Sequence, residues 1–136
     1  MQDVWKQFEE NDITHSAAHH ILAILELKDT QGYARVTDVA RHLNITTGSA
    51  STNLKGLKAK GLVVEDKNRF LILSPSGESL ARAVLSRKAI FRKFLEEILK
   101  VSSDQAEIDA CKTEHLISAE TSAKLQKFVE AYSHRG

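Results

Sequence analysis

The 136-residue chain reads as a mainly α-helical protein with one small β-hairpin, and three observations carry that reading. Apolar residues recur at three- and four-residue spacing along most of the chain. Two short β-rich runs flank one polar turn, and the lone proline, Pro75, opens a long helical stretch. With 42% apolar and 27% charged residues, the chain can bury a core without covalent staples.

The elements follow in order. From Ser16 to Lys28, apolar side chains at 17, 18, 21, 24 and 25 form the stripe of an amphipathic helix, which Gln31-Gly32 stops. Val36 to Leu43 is a short helix with Val39, Ala40 and Leu43 inward, followed by a turn at Asn44-Ile45-Thr46. Thr46 or Thr47 caps a third helix that runs to Lys60, with Gly61 as its C-terminal glycine. Leu62–Glu65 and Phe70–Leu73 pair across Asp66-Lys67-Asn68-Arg69. Ser74 as N-cap and Pro75 at the first helical position start a helix reaching about Leu99. Ser102, with Gln105 three residues on, has capping-box spacing and starts a helix from about Ser103 to Ile117. Ser118 caps the last helix, whose stripe is Leu125, Phe128, Val129 and Tyr132. Pro75 thus separates a first domain, 1–74, from a helical second domain, 75–136.

Several function classes are set aside at once. The longest apolar run, Ile21 to Leu25, is far short of the ~20 residues that span a bilayer, so no membrane partner is expected. The single Cys111 has no internal disulfide partner, and MQDVWKQFEE lacks a secretory pattern; the expected location is the reducing cytoplasm.

Charge is segregated although the whole chain carries only +1. From Tyr33 to Ser74, Arg35, Arg41, Lys55, Lys58, Lys60, Lys67 and Arg69 oppose Asp38, Glu65 and Asp66, an excess of four that leaves the remainder at −3. One basic module beside an acidic remainder is the footprint of a chain that turns a single face to a polyanion.

Helix, turn, second helix rich in Ser, Thr, Asn and Lys, then a basic-tipped hairpin is the order of a winged helix-turn-helix, and its expected partner is double-stranded DNA. A helix that enters a major groove needs a small, hydrogen-bonding exposed face. Thr46, Thr47, Gly48, Ser49, Ser51, Thr52 and Asn53 supply it, with Ala50, Leu54 and Leu57 inward. That leaves Lys55 and Lys58 to reach phosphates, while Lys67 and Arg69 reach flanking phosphates or the minor groove.

A second constellation is metal-ligating. Cys111, Glu114 and His115 stand at i, i+3 and i+4, so on a helix a thiolate, a carboxylate and an imidazole share one face. His15 and His19 form another i, i+4 pair away from the first helix's core stripe. A site would join His19 to the 111–115 cluster, and such a donor set suits Fe(II), Zn(II), Co(II) or Ni(II) better than Mg(II) or Ca(II). Spacing alone leaves the ordinary roles open: a small buried cysteine, a solvated Glu-His face, surface histidines.

The segments GYARVTDVARHLNIT and LKAKGLVVEDKNRFLILSPSGESLA, with Cys111-x-x-Glu114-His115 behind the long helix, resemble the metal-dependent transcriptional regulators grouped with the diphtheria toxin repressor and the manganese transport regulator. The resemblance runs from about His19 to Val129 and implies the short two-domain type: a winged helix-turn-helix followed by an α-helical dimerisation domain. It implies a homodimer whose metal ligands bridge the second domain to the first helix. Cys111, Glu114 and His115 then match primary-site ligands, and His19 falls where the family has an N-terminal Met or Asp; His15, or His20 in another register, extends the set.

The pattern departs from the family's at three positions. Lys88 stands where the linker helix has a ligating histidine, Arg92 where one branch has a carboxylate, and Leu22 where the manganese branch has a second carboxylate. The expectation is therefore one divalent transition metal per chain, Fe(II) or Zn(II) rather than Mn(II), with the Lys88 ammonium in place of a second ion. The implied function is a metal-responsive regulator, a repressor of metal-homeostasis genes. The alternative is a winged-helix regulator that answers to an organic ligand or to Cys111 oxidation. A metallohydrolase with Glu114 as base is disfavoured by the lack of HExxH, a phosphate loop or a nucleophile elbow, so no enzyme is expected.

Overall fold

A computed structural model of the chain describes residues 14–113 and 116–134. The described chain forms two compact units that divide between Arg82 and Ala83. The division falls inside a helix rather than before Pro75, because the first turns of that helix belong to the first unit's core through Leu80 and Ala81.

In the first unit, α1 spans His15–Gln31, α2 Val36–Leu43 and α3 Thr47–Ala59. Local stereochemistry sets their ends. The Thr14 hydroxyl accepts from the Ala17 N–H at 3.1 Å, and Gly32, at φ 88°, closes α1 in the left-handed region. The Asp38 carboxylate accepts from the Arg35 N–H at the start of α2, and Asn44, at φ 56°, ends it. Thr46 caps α3 by accepting from Ser49 N–H at 3.1 Å. Helix α3 ends at Ala59 with Lys60 as its cap, and Gly61 follows at φ 74°.

The hairpin is antiparallel, β1 (Val63–Glu65) against β2 (Leu71–Leu73), with Val64 opposite Ile72. Val63 and Leu71 point inward, and the Leu71 N–H donates to the Ala34 carbonyl at 2.7 Å, tying the wing to the segment before α2. The turn is held by Asp66, whose carboxylate accepts from the Asn68 and Phe70 N–H groups, and Arg69 takes a left-handed φ of 66°. The core joins Ile21 and Ile24 of α1, Val39 of α2, Leu54 and Leu57 of α3, and Val63 and Leu71 of the wing. Burying each such side chain favours folding by roughly 1.5–3 kcal/mol.

The second unit begins within α4 (Pro75–Lys93), which spans the division, and continues through a π-helical turn, α5 (Ser103–Thr113) and α6 (Ala119–His134). The helix expected to reach about Leu99 does so, but widens at Phe94–Ile98, where the Leu99 N–H reaches back to Phe94. This turn packs on α5 and α6 and buries Leu95. The helix expected to reach Ile117 is described as far as Thr113, whose hydroxyl donates to the Asp109 carbonyl, and Leu116 and Ile117 lie outside it, with the Leu116 N–H donating to the Thr113 carbonyl. Ser118 caps α6 through the Thr121 N–H, as its spacing predicts. Among the described residues no helix is long and apolar enough to cross a membrane.

Candidate nucleic-acid interface and metal-ligating residues

Helix α3 buries Ala50, Leu54 and Leu57 against the first unit and exposes Thr47, Gly48, Ser49, Thr52 and Lys55. Ser51 and Asn53 are half-buried. Some of this polar face is already engaged. Thr52 donates to the Gly48 carbonyl at 3.0 Å, so its hydroxyl has only acceptor capacity left; the Asn53 amide donates to Ser49 and accepts from the Ser16 hydroxyl of α1 at 3.2 Å.

Lys67 and Arg69 are exposed at the wing tip, as expected. Lys58 is different. Its ammonium lies 2.6 Å from the Glu65 carboxylate of β1 and the pair is half-buried, so Lys58 holds helix to wing rather than extending freely toward a phosphate. Sequence spacing did not show this pairing because the partners meet only when the wing folds over α3.

Arg35 and Thr37 were missed. They line, with Ser51, Lys55, Lys58 and Arg69, a concavity of about 640 Å³ between α2, α3 and the wing. The Arg35 guanidinium lies 4.6 Å from the Phe70 ring centroid, and Phe70 packs edge-on against Tyr33 at 5.6 Å. Arg35 sat inside the basic stretch that the charge count picked out, and that count was the available signal.

Of the candidate ligands, His15 and His19 face each other on successive turns of α1, Nε2 to Nε2 at 3.1 Å. Two nitrogens of one coordination sphere, each about 2.0–2.1 Å from an ion, have close to this separation, so the pair fits a transition metal. His20 turns the other way. It is buried, its Nδ1 lies 2.7 Å from the Ser16 carbonyl and so carries the proton, and its Nε2 has no hydrogen-bond partner among the described residues. Its place in the core separates it from the pair formed by exposed His15 and half-buried His19. In the second unit Cys111 is half-buried near the end of α5, while Glu114 and His115 lie outside the described residues.

Lys88 and Arg92 form an ionic cluster inside the second unit. The Glu107 carboxylate receives Lys88 Nζ at 2.6 Å on one oxygen and Arg92 Nη1 at 2.8 Å on the other; Arg92 also meets Glu96 and Ser103. The Lys88 hydrogen bond holds the Glu107 carboxyl below the usual glutamate range, against the opposing effect of burial. The sequence pointed to the two cations but not to Glu107 as their shared partner.

A winged helix with a polar groove-facing helix and basic wing tip, joined to a helical unit with exposed aromatics, is the build of a DNA-binding transcriptional regulator. A family profile described as "Iron dependent repressor, metal binding and dimerisation domain" matches residues 74–135, and one described as "MarR family" matches residues 11–69. The chain is 30% identical over 121 residues to the HTH-type transcriptional regulator MntR of Listeria welshimeri, covering 89% of this chain and 84% of the relative. It is 25% identical over 122 residues to the diphtheria toxin repressor of Corynebacterium diphtheriae, covering 90% of this chain and 54% of that protein. The structure of the manganese regulator SloR superposes with a TM-score of 0.77 at 23% identity, over 87% of this chain and 55% of that one. The chain thus spans about half the length of the last two. It belongs to the family of metal-dependent transcriptional regulators that includes MntR and the diphtheria toxin repressor, and these relatives are regulators, not enzymes.

Proposed function

We propose that this chain is a metal-gated repressor of metal-homeostasis genes that binds a double-stranded operator as a homodimer. The observation that carries the reading is the neighbourhood of α1's first turns. The His15–His19 imidazole pair brackets Ser16, and Ser16 hydrogen-bonds Asn53 on α3, so a ligand of the imidazoles acts one contact away from the groove-facing helix.

The proposed ligands are His19 and His15 with Cys111, Glu114 and His115, one divalent ion per chain. These side chains would hold the ion, which when bound would supply the positive charge that their lone pairs share. The residues do the rest: α1 is held by its histidines, Ser16 orients Asn53, and two-fold related α3 helices must meet half-sites about one helical turn apart. Regulation then follows from differential affinity for the DNA-competent state. The Lys88–Glu107–Arg92 cluster supports a single ion, because cations of the chain already neutralise that carboxylate. A thiolate donor favours Fe(II) or Zn(II); the names of MntR and SloR bring Mn(II) into the comparison.

The test is anaerobic binding to DNA upstream of the chain's own gene, at fixed salt and buffered free metal, without metal and with Fe(II), Mn(II) or Zn(II), for wild type and Cys111→Ala. Stimulation that Cys111→Ala removes is the expected result, and the metal ranking names the effector. Tight metal-independent binding would pass regulation to an organic ligand or to Cys111 oxidation.

A further inference from the structure

The cations around the concavity between α2, α3 and the wing are unevenly compensated. Lys58 is neutralised by Glu65, whereas Arg35, Lys55 and Arg69 make no ion pair among the described residues. The three differ in freedom. Lys55 and Arg69 extend from an exposed helix face and a turn tip, while the Arg35 guanidinium rests on Phe70, which is itself packed against Tyr33. Arg35 also follows Ala34, whose carbonyl receives the Leu71 N–H, so its backbone is fixed to the wing. An arginine held on an aromatic face gives up less rotamer entropy when it binds an anion than a free one does.

We propose that Arg35 is a phosphate clamp: its guanidinium binds the backbone of the duplex strand that passes between α3 and the wing, and Phe70 positions it. The inference rests on the DNA-binding reading above. The dimensions and lining favour a polyanion over a small apolar ligand. Thr37 and Ser51 add hydroxyls to the same wall, and the one carboxylate, Glu65, is already masked by Lys58. A clamp that touches only backbone contributes register and affinity but reads no base. Arg35 would therefore act equally on operator and unrelated sequence.

The experiment measures anisotropy of a labelled duplex of about 30 base pairs, operator or scrambled, over roughly 50 to 200 mM salt; each phosphate contact contributes about 0.9 to the slope of log K against log salt. Arg35→Ala is expected to weaken both duplexes about tenfold and to lower the slope by about 0.9 per protomer. Arg35→Lys should keep the slope while losing affinity. Phe70→Leu should also keep the slope, with a loss of about threefold that reports positioning rather than charge. Arg82→Ala, an exposed arginine of α4 paired with Glu78, is the charge control and should change neither duplex appreciably. Helicity and melting temperature establish that each variant folds. A folded Arg35→Ala with wild-type affinity and slope would overturn the clamp and leave Arg35 as a wing-packing residue. A wild type that binds no duplex at any salt would overturn the DNA reading, and the clamp with it.

Discussion

The two units bury their apolar residues very differently. In the first, Ile21, Ile24, Val39, Leu54, Leu57 and Val63 are all essentially inaccessible, drawn from three helices and the wing, and the exposed large apolar residues are Tyr33 and, on the wing's outer face, Val64 and Ile72. In the second, Val84, Leu95 and Val129 are buried, but Leu85, Leu99, Ile108, Leu116, Phe128 and Tyr132 remain 41–55% exposed. Phe91, Phe94, Phe128 and Tyr132 form a run of ring contacts at 6.4 Å spacing that ends in solvent. One unit has completed its core; the other displays an apolar face of the kind that a subunit interface covers. This agrees with a profile for a dimerisation domain over residues 74–135. The contrast teaches that the DNA-reading part is organised to keep its shape alone, and the helical part to finish its packing in the assembly.

The largest effect that tests this contrast is a cavity in the first core. Ile24→Ala should cost about 2–5 kcal/mol of the first unit's stability, read as a lowered midpoint in urea unfolding. A change below about 1 kcal/mol would show the core to be looser than its burial implies. Next comes Phe128→Ala. With half its surface in water it should alter monomer melting little, yet raise the dimer dissociation constant roughly thirtyfold, about 2 kcal/mol, in sedimentation equilibrium. Unchanged self-association would place the interface elsewhere. Thr46→Ala removes the cap of α3 and should cost about 1 kcal/mol, seen as a lower melting temperature for the first unit.

The smallest effect is electrostatic. Glu107 has its carboxyl held below the ordinary 4.5 by Lys88, so its contribution to stability is complete above that value and is lost as pH falls through the lower value it has in the fold. Glu107→Gln should therefore lower the second unit's melting temperature near neutrality, and the two melting curves should converge in acid. Exposure of the pair keeps the difference small. Curves that stay apart at every pH would assign the stabilisation to packing instead of charge.

What was legible in the sequence is what local stereochemistry decides. Gly32 and Asn44 end helices by their tolerance of left-handed backbone, Thr46 begins one by its hydroxyl, and the inward spacing of Ala50, Leu54 and Leu57 needs no knowledge of the partner surface. The widened turn at Phe94–Ile98 was illegible because it is imposed by packing on α5 and α6. The same reason hid Arg35 on Phe70, Glu65 on Lys58 and Glu107 between Lys88 and Arg92: each pair joins different elements, chosen by tertiary closure. Of the candidate ligands, His15 and His19 are together as their spacing requires, whereas His20 belongs to the core.

The wing tip shows a conflict between folding and reach. Arg69 holds a left-handed backbone that a glycine would adopt without strain and that costs a residue carrying a β-carbon about 1–2 kcal/mol. A turn selected for ease of formation alone would carry glycine there. Arg69→Gly is therefore a substitution whose two readouts move in opposite directions, a sturdier hairpin and a weaker grip on a polyanion. An arginine here places an exposed charge on a turn that would form with less strain around glycine.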